Sequence, residues 1–88
     1  MVDDAMQPLI LIYDIVHDGT RGKIADACLD YGLDRIQYSS FIGRLSRNQA
    51  EELMGEIEHI LDDRPGNIQL ILIAEKEWRN RMEINHAG

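Results

Sequence analysis

Two short apolar runs set the frame of this chain. Residues 9–13 read Leu-Ile-Leu-Ile-Tyr, and residues 68–74 are apolar except at Gln69. Runs of this length, rich in β-branched types, suit strands covered on both faces. Between them lie two segments with helical periodicity. Ile24, Ala27, Cys28 and Tyr31 fall on one face of a helix spanning about residues 20–31, by the i, i+3, i+4, i+7 rule. Asp18 or Thr20 is placed to cap its start, and Gly32 stands where a helix ends in a left-handed residue. The second helix opens with Ser46-Arg47-Asn48-Gln49, a capping-box pattern. Ala50, Leu53, Met54, Ile57, Ile60 and Leu61 form its apolar stripe, and Asp62-Asp63-Arg64-Pro65-Gly66-Asn67 stops it.

Residues 35–45 read as extended. Alternation sends Ile36, Tyr38 and Ser40 one way and Arg35, Gln37, Ser39 and Phe41 the other. The stretch is long for one strand, and Ser39-Ser40 carries no strong turn signal. Either two short strands or one kinked strand is expected. Gly43 marks a bulge or a close backbone approach. Residues 75–81 are charged and ambiguous, and Met82-Glu83-Ile84 alternates like a short edge strand. The order is that of the ferredoxin-like β-α-β-β-α-β plan, an α+β sandwich in one domain spanning 1–88, with flexible ends at about 1–7 and 85–88. That architecture hosts many functions.

A chain of 88 residues has a thin core, so a partner covering apolar surface would help it. The net charge of −7 argues against a dedicated nucleic-acid binder, because phosphate contacts need local Lys and Arg. Distribution matters more than the sum. Arg21, Lys23, Arg35, Arg44 and Arg47 cluster between residues 21 and 47, whereas acids gather at 3–4, 51–58 and 62–63. Arg44 and Arg47 also flank a helix N-terminus, where phosphate binds readily. The single cysteine, Cys28, is read as a small buried hydrophobe. One Cys and three scattered His build no metal framework. The acidic opening is unlike a signal peptide, and no apolar run is long enough to span a membrane. A cytoplasmic location is therefore expected.

Tyr13-Asp14-Ile15 closes the first strand, and Asp18, Arg21 and Lys23 open the first helix. Tyr31-Gly32-Leu33 and Arg35-Ile36-Gln37-Tyr38-Ser39 follow, then Phe41, Gly43 and Leu45. In this order these residues resemble the CRISPR-associated protein 2 family, the small partner subunit of the spacer-acquisition integrase. The chain departs from that family in having His17 where a second acid is common, and Ser40 where Val is common. The resemblance implies a ferredoxin-like homodimer whose chain end, here around 82–86, adds a strand to the partner's sheet. It also implies binding of duplex DNA or single-stranded RNA, assembly with the integrase subunit, and in some members Mg²⁺-dependent endonuclease activity. Others act as a non-catalytic bridge.

Asp14 on its own reads as a turn residue capping the next segment. The resemblance makes it the metal-site and catalytic aspartate, sharing Mg²⁺ with its symmetry mate. One carboxylate per chain is too few for that ion, which keeps several waters. Arg21, Lys23, Arg35, Arg44 and Arg47 become the nucleic-acid contacts. Gln37, Ser39, Phe41 and Gly43 become dimer or structural positions. Tyr38 and Phe41 read as core or interface before base-stacking platforms. His17 is placed to assist a metal or a proton transfer. A ferredoxin-like module for a small ligand or a protein suits the acidic balance as a third reading.

Overall fold

The computed structural model describes residues 5–86. Its elements are β1 (Gln7–Asp14), α1 (Asp18–Asp30), β2 (Asp34–Gln37), β3 (Ser40–Leu45), α2 (Arg47–Leu61), β4 (Asn67–Leu72) and α3 (Glu75–Arg79). The strands form one antiparallel sheet in the order β2-β3-β1-β4. This is the α+β ferredoxin-like arrangement that the element order predicts. The flexible ends expected at about 1–7 and 85–88 fall partly on residues 1–4 and 87–88, outside the described residues. Gln7 is the first residue of β1.

Alternation along the strands decides where the core sits. Leu9, Leu11 and Tyr13 of β1 are buried with Phe41 and Leu45 of β3, against Ile24, Ala27 and Cys28 of α1 and Leu53 and Ile57 of α2. Ile68, Leu70 and Leu72 of β4 pack against that cluster from the edge. Both long helices lie on this one side. The apolar runs were expected to be covered on both faces; a single chain covers the second face only at the Pro8 end, where α3 meets β1. Ile10 pairs in register with Ile42 on β3 and Ile71 on β4, forming an isoleucine row on the other face. Ile71 remains 46% exposed.

The helix ends follow the sequence with one correction. Ser46 Oγ accepts from Gln49 N at 3.1 Å, and Gln49 Oε1 accepts from Ser46 N at 3.0 Å, closing the capping box of α2. Gly32 has φ of 83°, and Leu33 N–H reaches back to Cys28 O at 3.1 Å, ending α1 as a left-handed glycine should. The start of α1 is capped by His17, whose Nδ1 accepts from Thr20 N at 3.1 Å, and not by Asp18 or Thr20. Asp18 is instead the first residue of the helix, where its charge favours the N-terminal dipole.

Of the two expected alternatives, two short strands form, joined by a turn at Tyr38 and Ser39. Both distant Tyr13 and nearby Arg35 hold the turn through hydrogen bonds. Tyr13 N–H donates to Ser39 O at 3.1 Å, while the Tyr13 hydroxyl and Arg35 Nη2 both donate to Tyr38 O, at 3.3 and 3.0 Å. The reversal, with a register shift between Arg35 and Gln37, overturns the expected grouping of Gln37 and Ser39 with Phe41. Gly43 does mark a close approach: a Cβ there would stand 3.2 Å from Leu33 Cα.

Residues 75–79 form α3. Met82-Glu83-Ile84 forms no strand in the single chain, contrary to the sequence expectation, and Met82 and Ile84 are 99% and 87% exposed. A strand needs a neighbouring edge for its backbone groups, and this tail pairs with none of its own sheet's strands.

Candidate nucleic-acid and metal site

The C-terminal end of β1 gathers the chemistry. Because strand side chains alternate, buried Tyr13 and exposed Asp14 diverge onto opposite faces. Asp14 shares the uncovered face with Ile10 and Ile12 and lies opposite Asn67 on β4. Behind it, the start of α1 supplies Arg21, and the β2–β3 turn supplies Tyr38 beside Arg35.

Both arginines are held in place. Arg21 Nη1 donates to Ile15 O at 3.0 Å, and its Nη2 pairs with the Asp18 carboxylate. Partial desolvation pulls the Arg21 guanidinium down, but Asp18 and Tyr38 more than offset it and hold it above its ordinary value. Arg35 Nη2 bonds Tyr38 O at 3.0 Å and the Tyr13 hydroxyl at 3.3 Å. Its guanidinium lies 5.3 Å from the Phe41 ring centroid and 5.7 Å from that of Tyr38. Among the described residues Arg35 pairs with no carboxylate, Asp34 included. Lys23 is exposed on α1.

The remaining basic candidates stand elsewhere. Arg44 faces Pro8 across the β1–β3 ladder, so it lies at the opposite end of the sheet from Asp14. By strand rise that separation is roughly 20 Å. Arg44 holds Glu75 of α3 through two hydrogen bonds, at 2.6 and 3.0 Å. Arg47 follows at the start of α2, 3.8 Å from Glu51. The five basic residues therefore form two groups, and only Arg21, Arg35 and Lys23 belong to the elements around Asp14. Of the other predicted positions, Phe41 is a core residue. Ser39 lends its carbonyl to Tyr13, and Gln37 is exposed on β2.

The Arg44 hydrogen bond, aided by the nearby charges, holds the Glu75 carboxyl below the usual carboxylate range. A carboxyl depressed in the folded state contributes stability above its ordinary value and loses it as pH falls through the lowered one. Docking of α3 should therefore weaken only under acidic conditions. Trp78, the single tryptophan, sits on α3 and reports it. Trp78 fluorescence in the wild type should change as pH falls below the carboxylate range. Glu75→Gln should show the low-pH signal already at neutral pH, with a flat profile. A titrating signal in the variant would assign the change to another group.

The donor set for a cation is thin in one chain. Among the described residues no group of three or more His, Cys, Asp or Glu could hold a metal. His17 Nδ1 is occupied by the cap of α1, and Asp18 by Arg21. That leaves Asp14, which fits Mg²⁺ only when a second copy brings another carboxylate to the same face.

The sequence profile of the family described as CRISPR associated protein Cas2 matches residues 6–81. The chain belongs to the Cas2 family. A relative named CRISPR-associated endoribonuclease Cas2 2, from Chloroflexus aurantiacus, is 49% identical over 72 residues, covering 82% of this chain and 85% of its own. The crystal structure of Streptococcus pyogenes Cas2 superimposes with a TM-score of 0.72 at 19% identity, covering 89% of this chain and 99% of that one. A chain of a partial Cas6-RT-Cas1–Cas2 complex aligns with a TM-score of 0.73 at 22% identity, covering 89% of this chain and 84% of that one. These two structural likenesses support the Cas2 fold. No helix among the described residues is long and apolar enough to cross a membrane.

Proposed function

We propose that this Cas2-family protein is a nucleic-acid-binding homodimer of the CRISPR adaptation machinery, with a Mg²⁺-dependent endonuclease centre built from two copies of Asp14. The observation that carries this reading is the position of Asp14. It is exposed at the end of β1, on the sheet face that leaves Ile12 and Ile71 exposed and Ile10 half-buried, with Arg21 and Arg35 at the same end. A second copy packed by two-fold symmetry on that isoleucine face would bury it and bring the two carboxylates together. The endoribonuclease name of the Chloroflexus relative supports the activity, and the Cas1–Cas2 complex supports an integrase partner.

In this reading Asp14 and its mate are the protein's ligands to the ion. Bound there, Mg²⁺ supplies charge neutralisation at a phosphate and an activated water. Arg21 and Arg35, already fixed by backbone carbonyls, hold phosphate oxygens without further ordering. With one carboxylate per chain, a second reading keeps the same dimer as an architectural bridge between integrase subunits, binding duplex DNA without cleaving it.

The test uses purified wild-type protein with labelled single-stranded RNA and duplex DNA, in Mg²⁺ or EDTA, across a salt series. Cleavage in Mg²⁺ but not in EDTA, with binding that weakens steeply with salt, is the expected result. Salt-dependent binding with no cleavage would select the bridge. No binding at low salt from a monomeric protein would remove both, leaving a ferredoxin-like small-ligand or protein-interaction module.

A further inference from the structure

The two aromatic residues of the β2–β3 hairpin have opposite fates. Phe41 is 0% exposed, while Tyr38, at the turn, is 67% exposed. An open aromatic ring at a hairpin tip contributes little to a core. Here it is also flanked by two cations, with the Arg21 guanidinium 5.0 Å and the Arg35 guanidinium 5.7 Å from its centroid. Neither arginine depends on the ring for its place, because Ile15 O fixes Arg21 and the Tyr38 backbone carbonyl fixes Arg35. Asp18 neutralises Arg21, and Arg35 has no carboxylate partner among the described residues, so the cluster keeps a positive balance.

We infer that Tyr38, Arg21 and Arg35 form a subsite for one unpaired nucleotide, the ring stacking its base and the guanidiniums taking its phosphate. The inference rests on the nucleic-acid reading above and deepens it by naming the side chain that takes a base. A base within a duplex has both faces covered by its neighbours and cannot reach a side-chain ring. A splayed base in a single strand can. The turn that carries Tyr38 is bonded through Ser39 O to Tyr13 N–H, one residue before Asp14. An unpaired nucleotide on Tyr38 would therefore lie at the Asp14 end of the sheet, but on the side that carries the Tyr13 hydroxyl and α1, across the sheet from the carboxylate.

The ring can be removed without disturbing its supports, since Arg35 is held by the backbone of residue 38. The experiment measures binding of a short labelled single-stranded RNA and of a duplex DNA in EDTA, for wild type, Tyr38→Ala and Tyr38→Phe. Thermal melting checks the fold, and gel filtration checks the oligomeric state. Tyr38→Ala should weaken single-strand binding about tenfold, with Tyr38→Phe and all duplex binding within about twofold of wild type. An abasic RNA of the same length should bind wild type and Tyr38→Ala equally.

Equal single-strand binding by Tyr38→Ala and wild type would overturn the subsite and leave the nucleic-acid reading standing. An equal loss on both substrates, with a change of oligomeric state, would also overturn it and make Tyr38 an interface residue. Wild type binding neither substrate would refute the nucleic-acid reading itself, and the subsite with it.

Discussion

Asp14→Ala is expected to cut Mg²⁺-dependent cleavage more than a hundredfold while leaving the protein folded, dimeric and bound to nucleic acid. The size follows from the ion. A divalent cation at a scissile phosphate contributes several kcal/mol of transition-state stabilisation, and a loss of about 3 kcal/mol already exceeds a hundredfold in rate. The selectivity follows from position. Asp14 is exposed at the last residue of β1, where truncation creates no cavity. Surface changes of this kind shift stability by about 0.5 kcal/mol or less. Removing two negative charges from the dimer should, if anything, strengthen phosphate binding at low salt. Initial rates, melting temperature and fluorescence anisotropy on one preparation separate these effects. Cleavage that survives in the variant and still needs Mg²⁺ would place the metal on other residues.

Phe41→Ala should have the largest effect on stability. The ring is fully buried between sheet and helices, stacked 6.2 Å from Tyr13, with Arg35 on its other flank. Truncating a buried phenylalanine costs about 3–5 kcal/mol. A domain of this size has only about 4–13 kcal/mol in total. The melting temperature should fall by on the order of 20 °C, and variants of marginal stability would be unfolded on purification. Phe41→Leu should recover much of the loss because it refills the volume. Denaturant unfolding of the two variants decides the matter: equal midpoints for Phe41→Ala and wild type would mean that the ring is not a core anchor. The contrast with Tyr38→Ala, which should leave the melt nearly unchanged, is itself diagnostic. The two aromatics are three residues apart in one hairpin, and the fold covers one and leaves the other open.

Much of the architecture was legible because its signals are local. The apolar runs around Leu9 and Leu70, the Ser46–Gln49 capping box, and Gly32 at the end of α1 each act within a few residues of themselves. Chain order then leaves few ways to assemble the pieces. The Cas2 resemblance was likewise carried by side chains along one continuous segment. The turn at Tyr38 and Ser39 was only one of two alternatives in the sequence, because without Gly, Pro, Asn or Asp its signal is weak. Tyr13, distant in sequence, and Arg35, three residues upstream on β2, bond its carbonyls. The cap of α1 was missed for a different reason. Histidine is a rare cap, and its Nδ1 serves only because the backbone at residue 17 is extended and aims the ring at Thr20.

The sequence by itself determined the number, order and type of the main elements, since periodicity and end signals are short-range properties of the chain. Only the tertiary structure decided which functional residues stand together. Arg35 is brought to the Asp14 end by the antiparallel return of β3 along β1, where it meets Arg21, which the start of α1 supplies locally. The same register carries Arg44 to the far end and into the grip of Glu75. Sequence spacing cannot contain that result, because an antiparallel ladder places residues by their distance from the turn, and here Tyr13, from outside the hairpin, helps to hold the turn.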